Sequence, residues 1–237
     1  SVGIGTVSPA SETAGTLLHI ADTGGSNPAI INLSGGAGGS GNIIGQLQFS
    51  DADDTDSTLA MITGTQHGGS TPPGGELNFH TQTNSGALAE RMVIADDGNV
   101  GIGETSPDEM LHLTSGDSWK PAIKLENTNT DTTGPYLEFH KTDTPAEAAD
   151  DYLGVISFTG VDAGNAVERY AYIAAQAKTV TAGSEDGRLT FMTNMAGAET
   201  SAMVMAAGNV GIGDDDPSEA KLSISSVASG DVGIKID

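Results

Sequence analysis

The chain has 237 residues, of which 32 are Asp or Glu and nine are Lys or Arg, giving a net charge of −23. That acidity repels nucleic-acid phosphates and anionic lipid heads, the lack of cysteine excludes a disulfide framework, and no apolar run approaches the eighteen residues of a membrane-spanning helix. With 33 Gly but only one Trp, four Tyr and five Phe, the composition argues against one large core, because aromatic side chains supply much of the buried area of a domain.

The chain opens on Ser-Val-Gly-Ile-Gly, without an initiator Met or a signal-peptide pattern, so a processed chain or a segment is expected. Val2-Gly3-Ile4-Gly5 is followed by Pro9 and by a short apolar run, Leu17-Leu18-His19-Ile20. Pro28-Ala29-Ile30-Ile31, Ile44-Gly45-Gln46-Leu47-Gln48-Phe49, Leu59-Ala60-Met61-Ile62-Thr63, Gly75-Glu76-Leu77-Asn78-Phe79 and Met92-Val93-Ile94-Ala95 come next. Several alternate apolar and polar residues with period two, the mark of half-buried strands. Gly24-Gly25, Gly68-Gly69, Pro72-Pro73-Gly74-Gly75 and Asp97-Gly98-Asn99 supply turns between them.

The pattern then starts again. Val100-Gly101-Ile102-Gly103, Pro107 and Met110-Leu111-His112-Leu113 lead to Pro121-Ala122-Ile123-Lys124. Leu153-Gly154-Val155-Ile156-Ser157-Phe158, the Ala-rich run Tyr170 to Lys178, Gly187-Arg188-Leu189-Thr190-Phe191 and Met203-Val204-Met205-Ala206 follow. We read the Ala-rich run as a strand, because its counterpart Leu59–Thr63 reads as one; Ala146 to Asp151 is too short to matter as a helix. A third copy begins at Val210-Gly211-Ile212-Gly213, continues through Pro217 and Lys221-Leu222-Ser223-Ile224, and stops after Gly233-Ile234-Lys235-Ile236. The periods are 98 and 110 residues. The difference falls mainly at 126–152, which holds its own strand-like run, Tyr136-Leu137-Glu138-Phe139; an inserted hairpin or long loop on the outer face is expected there. The domains are therefore read as 1–99 (first repeat), 100–209 (second repeat, with the insertion) and 210–237 (partial third repeat). The fold class is all-β: tandem repeats of about seven short antiparallel strands each, marginal alone and leaning on neighbours.

The stretch Glu90 to Pro107 contains Gly98-Asn99-Val100-Gly101-Ile102-Gly103 and is followed by Leu111-His112-Leu113. Together with Leu77-Asn78-Phe79-His80-Thr81, it resembles a repeat of bacteriophage tail fibre proteins. The resemblance covers nearly the whole chain, and similar repeats also occur in bacterial surface proteins. It implies an elongated, β-prism-like homotrimeric fibre on a virion, outside the cell. Such a shaft spaces and presents a tip that binds a host receptor, glycan or protein. Its partners are its own copies and other fibre or virion proteins, not nucleic acid or a membrane interior. In many relatives an intramolecular chaperone domain follows and is cleaved after trimerisation. None is seen here and the third copy stops mid-repeat, so a segment of a longer fibre is expected. Arg91 becomes Ala202 in the second copy, which argues against a fixed role for that side chain.

Candidate chemistry is thin. A phosphate loop needs a helix N-terminus after its glycines, whereas a Pro and a strand follow Gly-x-Gly three times. We therefore read these glycines as backbone devices. His19 and His112 are repeat mates that could meet as metal ligands on a threefold axis. His67, His80 and His140 complete the set, and none stands in a metal-ligand spacing. Asp51-Ala52-Asp53-Asp54-Thr55-Asp56 and Asp214-Asp215-Asp216 are solvated acidic loops, with Ca²⁺ ligation as the alternative. Trp119, Tyr136 and Tyr152 could stack on sugars or pack on strands. No catalytic residue, cofactor site or metal site is assigned, and the chain is read as a non-enzyme. Trimerisation is expected to bury Leu47/Phe49, Leu77/Phe79, Ile156/Phe158 and Leu189/Phe191. The competing readings are a bacterial or archaeal surface filament or adhesin subunit, which would polymerise head to tail, and a glycan-degrading enzyme with its carboxylate pair hidden among the acids.

Overall fold

The computed structural model describes residues 2–4, 18–20, 31–35, 39–51, 57–68, 73–84, 86–142 and 148–225. The expected strands at 28–30 and 233–236, and Asp53, Asp54 and Asp56 of the first acidic run, lie outside them. The described residues are all β, with no helix. Two compact units divide the chain, Ser1–Lys124 and Leu125–Asp237.

In the first unit, β1 (Val2–Ile4) pairs in parallel with β2 (Leu18–Ile20). A six-stranded sheet follows: β3 (Ile43–Asp51), β4 (Ser57–His67), β5 (Gly74–Gln82), β6 (Leu88–Ile94), β7 (Val100–Ile102) and β8 (Leu111–Leu113). The strands lie in chain order, antiparallel up to β7 and parallel between β7 and β8. The second unit has β9 (Asp151–Val161), β10 (Val167–Thr179), β11 (Asp186–Met195), β12 (Ala198–Ala206), β13 (Asn209–Ile212) and β14 (Leu222–Ile224). Their order and directions match those of the first sheet. The Ala-rich run expected as a strand lies within β10.

The register is also shared. Leu47, Ile62, Phe79, Met92 and Ile102 stand opposite one another across the first sheet, as Ile156, Ile173, Phe191, Met203 and Ile212 do across the second. A bulge falls after Phe79 between β5 and β6, and after Phe191 between β11 and β12. The sequence period and the hydrogen-bonded unit are out of phase. A repeat boundary at 99/100 falls between β6 and β7, which belong to one sheet.

Each sheet has six strands where the sequence suggested about seven. Pro121–Lys124 and Tyr136–Phe139, both read as strand-like, form no strand. Nor is the second run purely outward. Phe139 lies over β9 at Gly154, where an added Cβ would stand 2.7 Å from the Phe139 Cβ. Leu33 lies over β3 at Gly45 in the same way, at 2.9 Å.

Candidate functional site

The recurrent Val-Gly-Ile-Gly element builds a tight arch. Val100↔Leu111, Gly101↔His112 and Ile102↔Leu113 pair in parallel, as do Val210↔Leu222, Gly211↔Ser223 and Ile212↔Ile224. Val2↔Leu18, Gly3↔His19 and Ile4↔Ile20 repeat the register. Parallel strands usually need a connection of a dozen or more residues; residues 103–110 suffice here. Gly101 makes this possible, because a Cβ there would stand 2.1 Å from the Glu104 carbonyl oxygen. At Gly211 the corresponding distance, to the Asp214 oxygen, is 2.2 Å. Gly103 and Gly213 have φ of 74° and 66°, a region that favours glycine. Asn99 and Asn209 clamp the loops by donating Nδ2–H to the carbonyls of Pro107 and Pro217, at 3.2 and 2.7 Å. The Arg91/Ala202 difference is harmless to the arch, since Gly103 N and Gly213 N donate to the backbone oxygens of those residues.

Each sheet has a closed face and an open face, and the closed one is not the more apolar. Val93 and Val204 have no exposure, and Val93 packs against Gly101 beneath the arch. Thr63, Asn78 and Thr190 are buried on the same faces, as are Tyr172 and Ala174. Asn78 Oδ1 accepts from Thr65 Oγ1 at 2.9 Å, and its Nδ2 donates to Glu90 Oε2 at 3.2 Å. Burial raises the Glu90 carboxyl above its ordinary range, opposed by His80 and by the Asn78 bond. In the second sheet Arg169 grips Glu199 Oε1 through Nε at 2.8 Å and Nη2 at 2.5 Å, and stacks 4.3 Å from the Tyr172 ring centroid. The hydroxyl of Tyr172 donates to Glu199 Oε2 at 3.3 Å, and burial is the first cause of its raised pKa.

The open faces carry the large apolar residues. Leu47, Phe49, Leu77, Ile102 and Leu111 share one face of the first sheet, and each is 39–56 % exposed. Ile156, Phe158, Ile212 and Leu222 do the same on the second sheet, at 44–55 %. A groove on that face runs beside Phe139, Gly154, Ile156, Ile173 and Leu189. Exposed apolar surface of this extent marks an interaction site.

The histidines are dispersed. Nδ1 of His67 lies 2.9 Å from Asp96 Oδ1 and 3.3 Å from Glu76 Oε1. Its pKa is raised, first by the Asp96 hydrogen bond. His80 Nε2 is 3.4 Å from Thr63 Oγ1, and His112 Nδ1 is 2.8 Å from Asp108 Oδ1. His140 is exposed, and His19 lies in β2. Among the described residues no group of three or more acids and histidines is arranged to hold a metal. Asp214 staples its arch: it accepts from Ser223 Oγ and from Asp216 N, and these bonds hold its carboxyl below the ordinary range. Trp119 is 98 % exposed and Tyr136 78 %. Tyr152 lies in β9, half exposed. The structure does not bring these three aromatics together on one element. Sequence reasoning missed Thr63, Asn78 and Thr190 as buried residues; their only signal was period-two spacing on strands whose other face is apolar.

No protein-family model matches this chain, and no curated protein does. Among solved structures it is similar to the carboxy-terminal domain of the bacteriophage T5 L-shaped tail fibre, with a TM-score of 0.63 and 12 % identity over 92 % of this chain and 98 % of that one. It is also similar to that domain with its intra-molecular chaperone domain, with a TM-score of 0.65 and 12 % identity over 92 % of this chain and 70 % of the other. At this identity the likeness is one of fold.

Proposed function

We propose that the chain is a structural segment of a homotrimeric phage tail fibre, a shaft that spaces and presents a receptor-binding tip as an extracellular appendage of the virion. The carrying observation is the open apolar face of each six-stranded sheet. Three such faces turned inward around a threefold axis make a closed β-prism. The apolar rows are then buried and the polar faces meet water. A single sheet with its large side chains bare is not a stable end state. The T5 tail fibre fold supports the same reading. So does the matched register of the two sheets, which gives each unit the same apolar row to turn inward. With strands across the fibre axis, six strands span roughly 24 Å of shaft. The net charge of −23 keeps such shafts soluble and apart. The role is mechanical and involves no catalytic step.

Light scattering on the purified chain, beside an unboiled denaturing gel, tests this. The expected result is a mass of three chains that resists detergent. A single-chain mass would overturn the trimer, and an open-ended polymer series would favour a surface filament instead.

A further inference from the structure

We propose that residues 134–140 form a strand whose sheet belongs to a second copy of this chain, adding along residues 154–161 to the outer edge of β9 in that neighbour. The inference rests on the trimeric reading above and names one of its interfaces.

The segment has the sequence of a strand. Gly134-Pro135 sets a turn, and Leu137 and Phe139 alternate with Glu138 and His140. It has no strand's place in its own unit, since β9 is the first strand of the sheet and pairs only with β10. No backbone–backbone hydrogen bond joins 134–140 to another described residue. Leu137 stands 68 % exposed. A run of apolar side chains and unpaired peptide groups calls for a sheet edge.

Its own edge is barred to it. Phe139 crosses above Gly154 on the open face, 2.7 Å from the place of an added Cβ. A paired strand would lie beside β9 in the plane of the sheet, about 4.8 Å away. The segment therefore passes over its own sheet, and among the described residues none pairs with the outer edge of β9 at 154–161. That edge is unguarded: residues 154–161 contain no charge, although exposed edges are normally blunted by charged residues.

The first unit repeats the arrangement with different residues. Leu33 crosses Gly45 on the open face, and β3 is likewise an edge strand. Residues 45–50 are also uncharged. Each unit of a copy thus offers one donor segment and one acceptor edge. This heterologous contact closes when the copies form a ring, as three copies on a threefold axis do.

The native chain has no cysteine, so engineered disulfides report unambiguously. Two differently tagged full chains are co-expressed. One carries Leu137→Cys; the other carries Val155→Cys, Ser157→Cys or Thr159→Cys in turn. The assembly is oxidised and run on a non-reducing gel, with its native mass taken by light scattering. Amide exchange over 134–140 is measured on the unsubstituted chain. We expect a three-chain mass, a disulfide joining the two tags in at least one register, and exchange slowed on the order of 100-fold relative to the free peptide. A three-chain mass with no cross-tag disulfide at any position and peptide-like exchange would overturn the strand addition while leaving the trimer standing. A single-chain mass would overturn both.

Discussion

At the scale of single residues, His67 is the clearest electrostatic pin. It ties the end of β4 to Glu76 on β5 and to Asp96 in the turn after β6. Gly74 leaves room for this, since a Cβ there would stand 2.3 Å from Asp96 Oδ2. The folded state raises the His67 pKa above 6.5, first through the Asp96 hydrogen bond and then through the charges of Asp96 and Glu76. A raised pKa means that the folded chain binds the proton more tightly. The stabilisation is complete below the unfolded value and is lost as pH rises through the folded one. His67→Gln should therefore remove a stability increment present at pH 5.5 and absent at pH 8.5. Melting temperatures of the two proteins, compared across that range, check this. A constant offset between them would show that the ring packs rather than pairs. Asp214 has the opposite sign: its contribution is present above the ordinary carboxyl range and fades as pH falls through its lowered pKa.

At the scale of elements, the arch decides which sequences can occupy the Val-Gly-Ile-Gly position. The loop after β7 returns across the strand with no gap for a side chain at Gly101, and the loop after β13 does so at Gly211. The obstacle in each case is a backbone carbonyl, which cannot swing aside as a flexible side chain can. Gly101→Ala and Gly211→Ala should each cost about 3 kcal/mol through forced backbone shifts, lowering the melting temperature of the affected unit by roughly 10 °C. Gly116→Ala is the matched control, since a Cβ there meets nothing within 4 Å. Differential scanning calorimetry of the three variants decides the matter, and equal losses in all three would refute the steric account. The parallel β7–β8 and β13–β14 pairs also explain the recurring Asn. Its side-chain amide holds the loop down by donating to a backbone carbonyl, that of Pro107 or Pro217.

At the scale of the whole molecule, charge works against the proposed trimer. Bringing copies of net charge −23 together costs repulsion that salt screens over about 10 Å at 0.1 M and about 3 Å at 1 M. The melting temperature and the resistance to dissociation should both rise between 0.05 and 1 M NaCl. Sodium chloride and potassium chloride should act alike if screening is the cause. A flat response would mean that the acids lie too far apart at the interfaces to matter.

The sequence by itself determined the all-β character of this chain, because period-two alternation and turn residues are local properties that each segment states alone. It also determined which residues correspond between copies, and that the glycines of the recurrent motif serve the backbone. It did not reveal that β7 closes the sheet of the residues before it, because hydrogen-bond partnership depends on where the chain returns. Nor could it distinguish the closed face from the open one. Alternation shows that a strand has two faces, and hydrophobicity marks the Leu47 and Ile156 rows for burial on trimerisation without showing what covers the other face. Only the tertiary structure decided that: the arches cover Val93 and seat Thr63 and Asn78 beside it, while the apolar rows are left bare. The crossing of Phe139 at Gly154 was equally hidden, since it lays a segment outside the sheet over the face of an edge strand through space rather than through any local pattern.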